Sequence, residues 1–141
     1  MQEKIIVFTD GGSRGNPGLA GVGVFICDEN NQEIYREYKF LGVKTNNEAE
    51  YLALNLALNY LKTNIKNPTH VIFKLDSKLV VEQMNKKWKI KESHLQVLAQ
   101  ENWKILATIP QLSYEIKHIP REENSIADFL ANQAMDSGTT H

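Results

Sequence analysis

The sequence predicts an α/β fold in which an antiparallel meander leads into a parallel core. Three observations carry that expectation. Short apolar runs rich in β-branched residues recur at KIIVFT (4–9), AGVGVFIC (20–27), EIYREYKFLG (33–42), VIFKL (71–75) and LSYEIKHI (112–119). Only short turns separate the first three, whereas stretches of helical periodicity divide the rest. The resulting order, βββαβααβα, is that of a sheet with helices laid against it.

Each element follows from local chemistry. KIIVFT suits a central strand that ends at Asp10, and GGSRGNPG (11–18) then reads as a glycine-rich turn. DENNQ (28–32) closes a hairpin between the second and third strands. A helix is expected from Thr45 to about Lys62 and is broken by NPTH before the fourth strand. Further helices are expected over 77–85, about 93–107 and about 122–135, with the fifth strand before the last of them.

Composition sets the outer limits. At 141 residues, 16.1 kDa and 42% hydrophobic content, the chain fits one globular domain over 1–141, with a core of about 4–136 and a short polar C-terminal tail. No apolar run approaches the roughly 20 residues of a membrane span. MQEKIIVFTD places an acid and a strand where a signal peptide requires a basic region and a long apolar one. A soluble, cytoplasmic chain is expected, monomeric, with no membrane and no obligate protein partner. The one cysteine, Cys27, allows no intrachain disulfide and sits in an apolar strand that would bury it. A net charge of −1 excludes a globally basic nucleic-acid binder but leaves a local patch open.

Four acids stand out. Asp10 follows one apolar strand and Asp76 another; if the two strands are parallel neighbours, both carboxylates lie at the ends where open α/β sheets bind ligands. In the helix TNNEAEYLALNLALNYL, Thr45 and Glu48 have capping-box spacing, which gives Glu48 a structural task. Glu50 instead heads the stripe Leu54, Ala57, Leu58 and Leu61 that should face the sheet. Asp128 lies early in the last helix. Three of them alone also have a structural use, Asp10 as a strand terminator, Asp76 as a helix cap and Asp128 through capping-box spacing with Ser125, whereas the helix dipole explains Glu48 better than Glu50. Together they form an oxygen-only set suited to Mg²⁺ or Mn²⁺, and a pair of such ions can stabilise both the attacking and the leaving oxygen of a phosphodiester.

TDGGSRGNPG, TNNEAEY, LDSKLVVEQMN and HIPREENSIAD, in this order, resemble the type 1 ribonucleases H over nearly the whole chain, from about residue 5 to about 135. The resemblance implies a mixed five-stranded sheet, strands 1–3 antiparallel and strands 4 and 5 parallel to strand 1, flanked by helices. It implies hydrolysis of the RNA strand of RNA/DNA hybrids with two Mg²⁺ ions, Mn²⁺ substituting, and 5′-phosphate and 3′-hydroxyl products. Motif by motif, the catalytic, metal-holding acids fall on Asp10, Glu50, Asp76 and Asp128. His118 falls where members often carry a loop histidine that helps proton transfer or product release, with Arg121 as the competing candidate for assisting the leaving group or the phosphate. Asn16, Asn46 and Asn47 match minor-groove contacts to 2′-hydroxyls, and Thr45 a position near a DNA phosphate. Lys78 stands where many members contact a base through glutamine.

One departure concerns substrate grip. Between the fourth strand's helix and LSYEIKHI there is room for KKWKIKESH and one helix, so the basic protrusion of some members is not expected. Lys86, Lys87, Lys89 and Lys91 around Trp88 form the densest basic patch and are the compensating candidates, a solvated helix end with Trp88 on the core being the plain alternative. Members without the protrusion include enzymes acting on double-stranded RNA or RNA–DNA junctions. The other readings are a non-catalytic hybrid- or RNA-binding module on the same fold and a sister nuclease that cuts DNA.

Overall fold

The computed structural model describes residues 2–139. The strands β1 (Glu3–Gly15), β2 (Gly18–Asp28) and β3 (Glu33–Lys44) form the meander, followed by α1 (Asn46–Asn64), β4 (Thr69–Leu75), α2 (Lys78–Met84), α3 (Ser93–Thr108), β5 (Leu112–His118) and α4 (Ser125–Thr139). A single 3₁₀ turn, Arg121–Glu123, precedes α4. The sheet order is β3-β2-β1-β4-β5, with β1–β3 antiparallel and β4 and β5 parallel to β1. Among the described residues one helix, α3, separates α2 from β5, which leaves no protruding extra helix. No helix among them is long and apolar enough to cross a membrane.

Alternation in the strands sorts the core into two layers. Val7, Val24, Ile26, Val71, Phe73 and Leu75 face α1 and α3, where Tyr51, Leu54, Leu58 and Leu61 complete the main cluster. Phe25, Cys27, Ile6 and Phe8 point the other way, toward Leu130 of α4, and Cys27 is buried as expected. β2 is buried over most of its length because helices cover both its faces.

Two element boundaries differ from the sequence reading. β1 does not end at Asp10: it stays paired with β2 through Gly11↔Val22, Gly12↔Gly21, Ser13↔Ala20 and Arg14↔Leu19, and the turn shrinks to Asn16 and Pro17 around a cis peptide bond. The neighbouring backbone supplies the ladder, so glycine's low strand propensity is overridden. What the glycines provide is clearance. A Cβ on Gly11 would sit 2.3 Å from Ala49 O in α1, and one on Gly23 2.4 Å from Ala127 O in α4. The last helix begins at Ser125 rather than near Glu122, because Pro120 and the 3₁₀ turn bring the chain in at an angle.

Candidate active site

Strand register places the first two acids together. β4 runs parallel to β1 with Thr9 opposite Leu75, and there β4 ends, so the next residues, Asp10 and Asp76, project side by side. Asp10 is therefore mid-strand but paired on one side only, with Gly23. Asp76 is free of capping duty, since Ser77 is the cap of α2 and accepts from Val80 N. Thr45 and Glu48 form the capping box of α1, with Glu48 N donating to Thr45 Oγ1 at 3.1 Å and Thr45 N donating to Glu48 Oε1 at 2.9 Å. Glu50 is left facing the sheet, where Gly11 N donates to its Oε1 at 2.7 Å.

Asp10, Glu50 and Asp76 each offer a carboxylate oxygen within 4.8 Å of the others. Asp128, in the first turn of α4, lines the same cleft and helps raise the pKa of Asp10. The cleft, of about 480 Å³, is walled by Asp10, Glu50, Asp76, Asp128, Arg14 and Arg121 among others. Crowding acts on protonation. Asp10 rises from 3.8 to about 8, first through burial, then through the charge of Asp76 and the hydrogen bond and charge of Asp128, with Arg121 opposing. Burial first, then Asp10 and Asp76, also push Glu50 well above its usual range. Hard oxygen donors converging where their mutual repulsion favours uptake of positive charge fit one or more divalent cations.

The two loop candidates separate. His118 closes β5 opposite Leu75, is exposed, and does not line the cleft. Arg121, in the 3₁₀ turn, does line it, with Nη2 3.6 Å from Asp128 Oδ1. The asparagines join the glycine-rich strand to α1: Asn46 N donates to Asn16 Oδ1 at 3.0 Å, and Asn46 Oδ1 accepts from Ser13 N at 2.9 Å. Asn46 and Asn47 line the cleft. Lys78 and the lysine patch are not part of its wall. Trp88 does not pack on the core; it is 44% exposed, with Lys78 Nζ 5.9 Å from its ring centre. Lys86 takes a left-handed backbone (φ 62°) and sets its ammonium 4.8 Å from the ring centre of Trp103, while Lys87, Lys89 and Lys91 are exposed.

The sequence reading missed Asn124, which is 1% exposed. Its Nδ2 donates to Thr9 O at 2.9 Å and to Asp76 Oδ2 at 3.1 Å. Its carbonyl accepts the first helical bond of α4, from Asp128 N at 3.0 Å. Asn124, not Ser125, thus holds the cap position, and one side chain ties the strand before Asp10 to Asp76 and to the start of the Asp128 helix. The signal in the sequence was an asparagine four residues after Pro120, early in the last helical stretch. Asn124→Ala leaves the buried Thr9 carbonyl and the half-buried Asp76 carboxylate without this donor and is expected to cost about 1–3 kcal/mol, read by denaturant unfolding.

The family model described as reverse transcriptase-like matches residues 8–134. Ribonuclease H of Ruthia magnifica is 34% identical over 97% of this chain and 99% of its own. The bifunctional protein Rv2228c of Mycobacterium tuberculosis is 39% identical over 95% of this chain, which spans only 36% of that relative's length. The solved structure of LC11 ribonuclease H1, isolated from compost, superposes with a TM-score of 0.91 at 40% identity, covering 99% and 100% of the two chains. The same enzyme in complex with an RNA/DNA hybrid gives 0.86 at 39% identity, covering 96% and 99%. Sheet order and cleft together define a ribonuclease H-like domain. Within that class the chain belongs to the ribonuclease H family, in its type 1 form.

Proposed function

We propose that residues 1–141 form one domain that hydrolyses the RNA strand of RNA/DNA hybrids and leaves 5′-phosphate and 3′-hydroxyl ends. The observation that carries this is the convergence of Asp10, Glu50 and Asp76 within 4.8 Å, with Asp128 on the same cleft wall. The hybrid-bound structure of a relative supports the choice of substrate.

Asp10, Glu50, Asp76 and Asp128 would hold two divalent ions, Mg²⁺ with Mn²⁺ as substitute. When bound, such ions supply Lewis acidity to the attacking and leaving oxygens of the phosphodiester. The chain's own residues do the rest. Glu50 is fixed by Gly11 N and Asp76 by Asn124, so neither carboxylate swings when substrate enters. Arg121, in preference to His118, faces the scissile phosphate and offsets its charge. Asn16, Asn46 and Asn47 are assigned to 2′-hydroxyls, which a DNA strand lacks, and Thr45 to a phosphate of the DNA strand, as the family resemblance implies. Lys78, Lys86, Lys87, Lys89 and Lys91 with Trp88 take the place of the protrusion in gripping backbone. We assign the protein to the cytoplasm as a monomer.

Labelled RNA/DNA hybrid, double-stranded RNA and double-stranded DNA incubated with Mg²⁺ or Mn²⁺ test the substrate choice. Hybrid is expected to be cut fastest; no cleavage of any RNA-containing duplex would sink the proposal, and faster cleavage of double-stranded RNA would redirect it to that substrate. Replacing Lys86, Lys87, Lys89 and Lys91 by alanine is expected to weaken hybrid binding and to flatten its dependence on salt by up to roughly 0.9 for each phosphate that is no longer neutralised. An unchanged slope would return the patch to solvent.

A further inference from the structure

The cleft has a second cationic end that the catalytic centre leaves unused. Arg14 lies four residues beyond Asp10 on β1, faces Leu19 across the hairpin, and lines the same cleft as the carboxylates. Its Nη1 meets Asp136 Oδ1 at 2.6 Å, and its Nη2 lies 3.5 Å from both O and Oδ1 of Asn132. Asn132 in turn donates to Asp128 O at 3.0 Å. Residues 128, 132 and 136 follow at four-residue spacing and form one stripe along α4. Arg121 is tied to the start of that stripe and Arg14 to its far end. Because Arg14 reaches Asn132 as well as Asp136, the helix rises about 6–12 Å from Asp128 to the residues that hold it, roughly two to four nucleotides at the ~3.4 Å rise of a duplex.

Stability alone gives a weak reason for an arginine at this point. The Arg14 and Asp136 side chains are 41% and 64% exposed, and ion pairs so exposed contribute little to stability. A guanidinium braced along one edge keeps donors on its other edges, and its planar fork matches phosphate oxygens. It also sits where a polyanion must pass a wall of carboxylates. We propose that Arg14, held by Asp136 and Asn132, binds a backbone phosphate of the RNA strand about three nucleotides from the carboxylate cluster. This rests on the hybrid-nuclease proposal above.

The test is equilibrium binding of a fluorescein-labelled RNA/DNA hybrid in EDTA, followed by anisotropy over a salt series, so that cleavage plays no part. Arg14→Gln is expected to weaken binding roughly three- to tenfold at fixed salt and to flatten the salt slope by about 0.9. Arg14→Lys should recover most of the slope. Asp136→Asn removes a competing anion while keeping the guanidinium, so it should bind as well as wild type or more tightly. Its result stays readable if Arg14→Gln fails to fold. An unchanged slope in Arg14→Gln, or an Asp136→Asn variant weakened as much as Arg14→Gln, would overturn the proposal and leave Arg14 as a brace for α4. Wild-type protein that neither binds hybrid here nor cleaves it in Mg²⁺ or Mn²⁺ would overturn the hybrid-nuclease proposal itself.

Discussion

Asp10→Asn is expected to lose hybrid cleavage by roughly 10³-fold or more and, in the same tube, to melt higher than wild type when metal is withheld. The two effects share one cause. Asp10 is buried beside Asp76, Asp128 and Glu50, and its charge is opposed by desolvation and by its neighbours. An amide of the same shape removes one member of the repelling set without opening a cavity. A gain of only ~1 kcal/mol would raise Tm by about 2–5 °C for a chain of this size. Calorimetry in EDTA reads the second effect and a gel assay in Mg²⁺ the first. A lower Tm would mean that the acids stabilise the fold rather than strain it.

The second large effect is a stability that falls as pH rises. In the unfolded chain Asp10 releases its proton near 3.8, whereas in the fold it holds it to about 8, and Glu50 is shifted in the same direction. Between those values the native state binds more protons than the unfolded one, so the stability these groups contribute is complete below about pH 4 and is lost on the way to pH 8. Glu48 acts oppositely: the Thr45 backbone hydrogen bond lowers its pKa from 4.5, so its contribution is lost as pH falls below that range. Metal-free protein is therefore expected to be most stable near pH 4 and to lose several degrees of Tm by pH 8. Millimolar Mg²⁺ or Mn²⁺ should return most of that loss at pH 8 and little at pH 5, because the ion must displace protons from the same oxygens. A flat pH profile in EDTA, or equal stabilisation by metal at both pH values, would contradict this.

Much of the centre was legible because it depends on local periodicity. Glu50 separates from Glu48 on helical spacing alone, and the structure gives the first to Gly11 N and the second to the Thr45 cap. Asp10 and Asp76 follow from two apolar runs that become parallel neighbours. The extension of β1 through GGSRG was not legible, since glycines there obey the close approach of α1 and the pairing of β2 rather than their own propensity. Nor was Asn124: the periodicity puts it inside a helix starting near Glu122, and its burial follows from hydrogen bonds to Thr9, 115 residues away, and to Asp76. Between His118 and Arg121 the sequence offered no choice, because the path of the chain after β5 decides which side chain reaches Asp128.

The most direct test is a hybrid labelled separately on each strand, incubated with wild type in Mg²⁺, wild type in EDTA, and Asp10→Asn in Mg²⁺, with the product ends determined. A carboxylate-held metal centre should give cuts in the RNA strand alone, ending in 5′-phosphate and 3′-hydroxyl, and only in the first of the three reactions. Cleavage in EDTA, full activity in Asp10→Asn, or cuts in the DNA strand would contradict it.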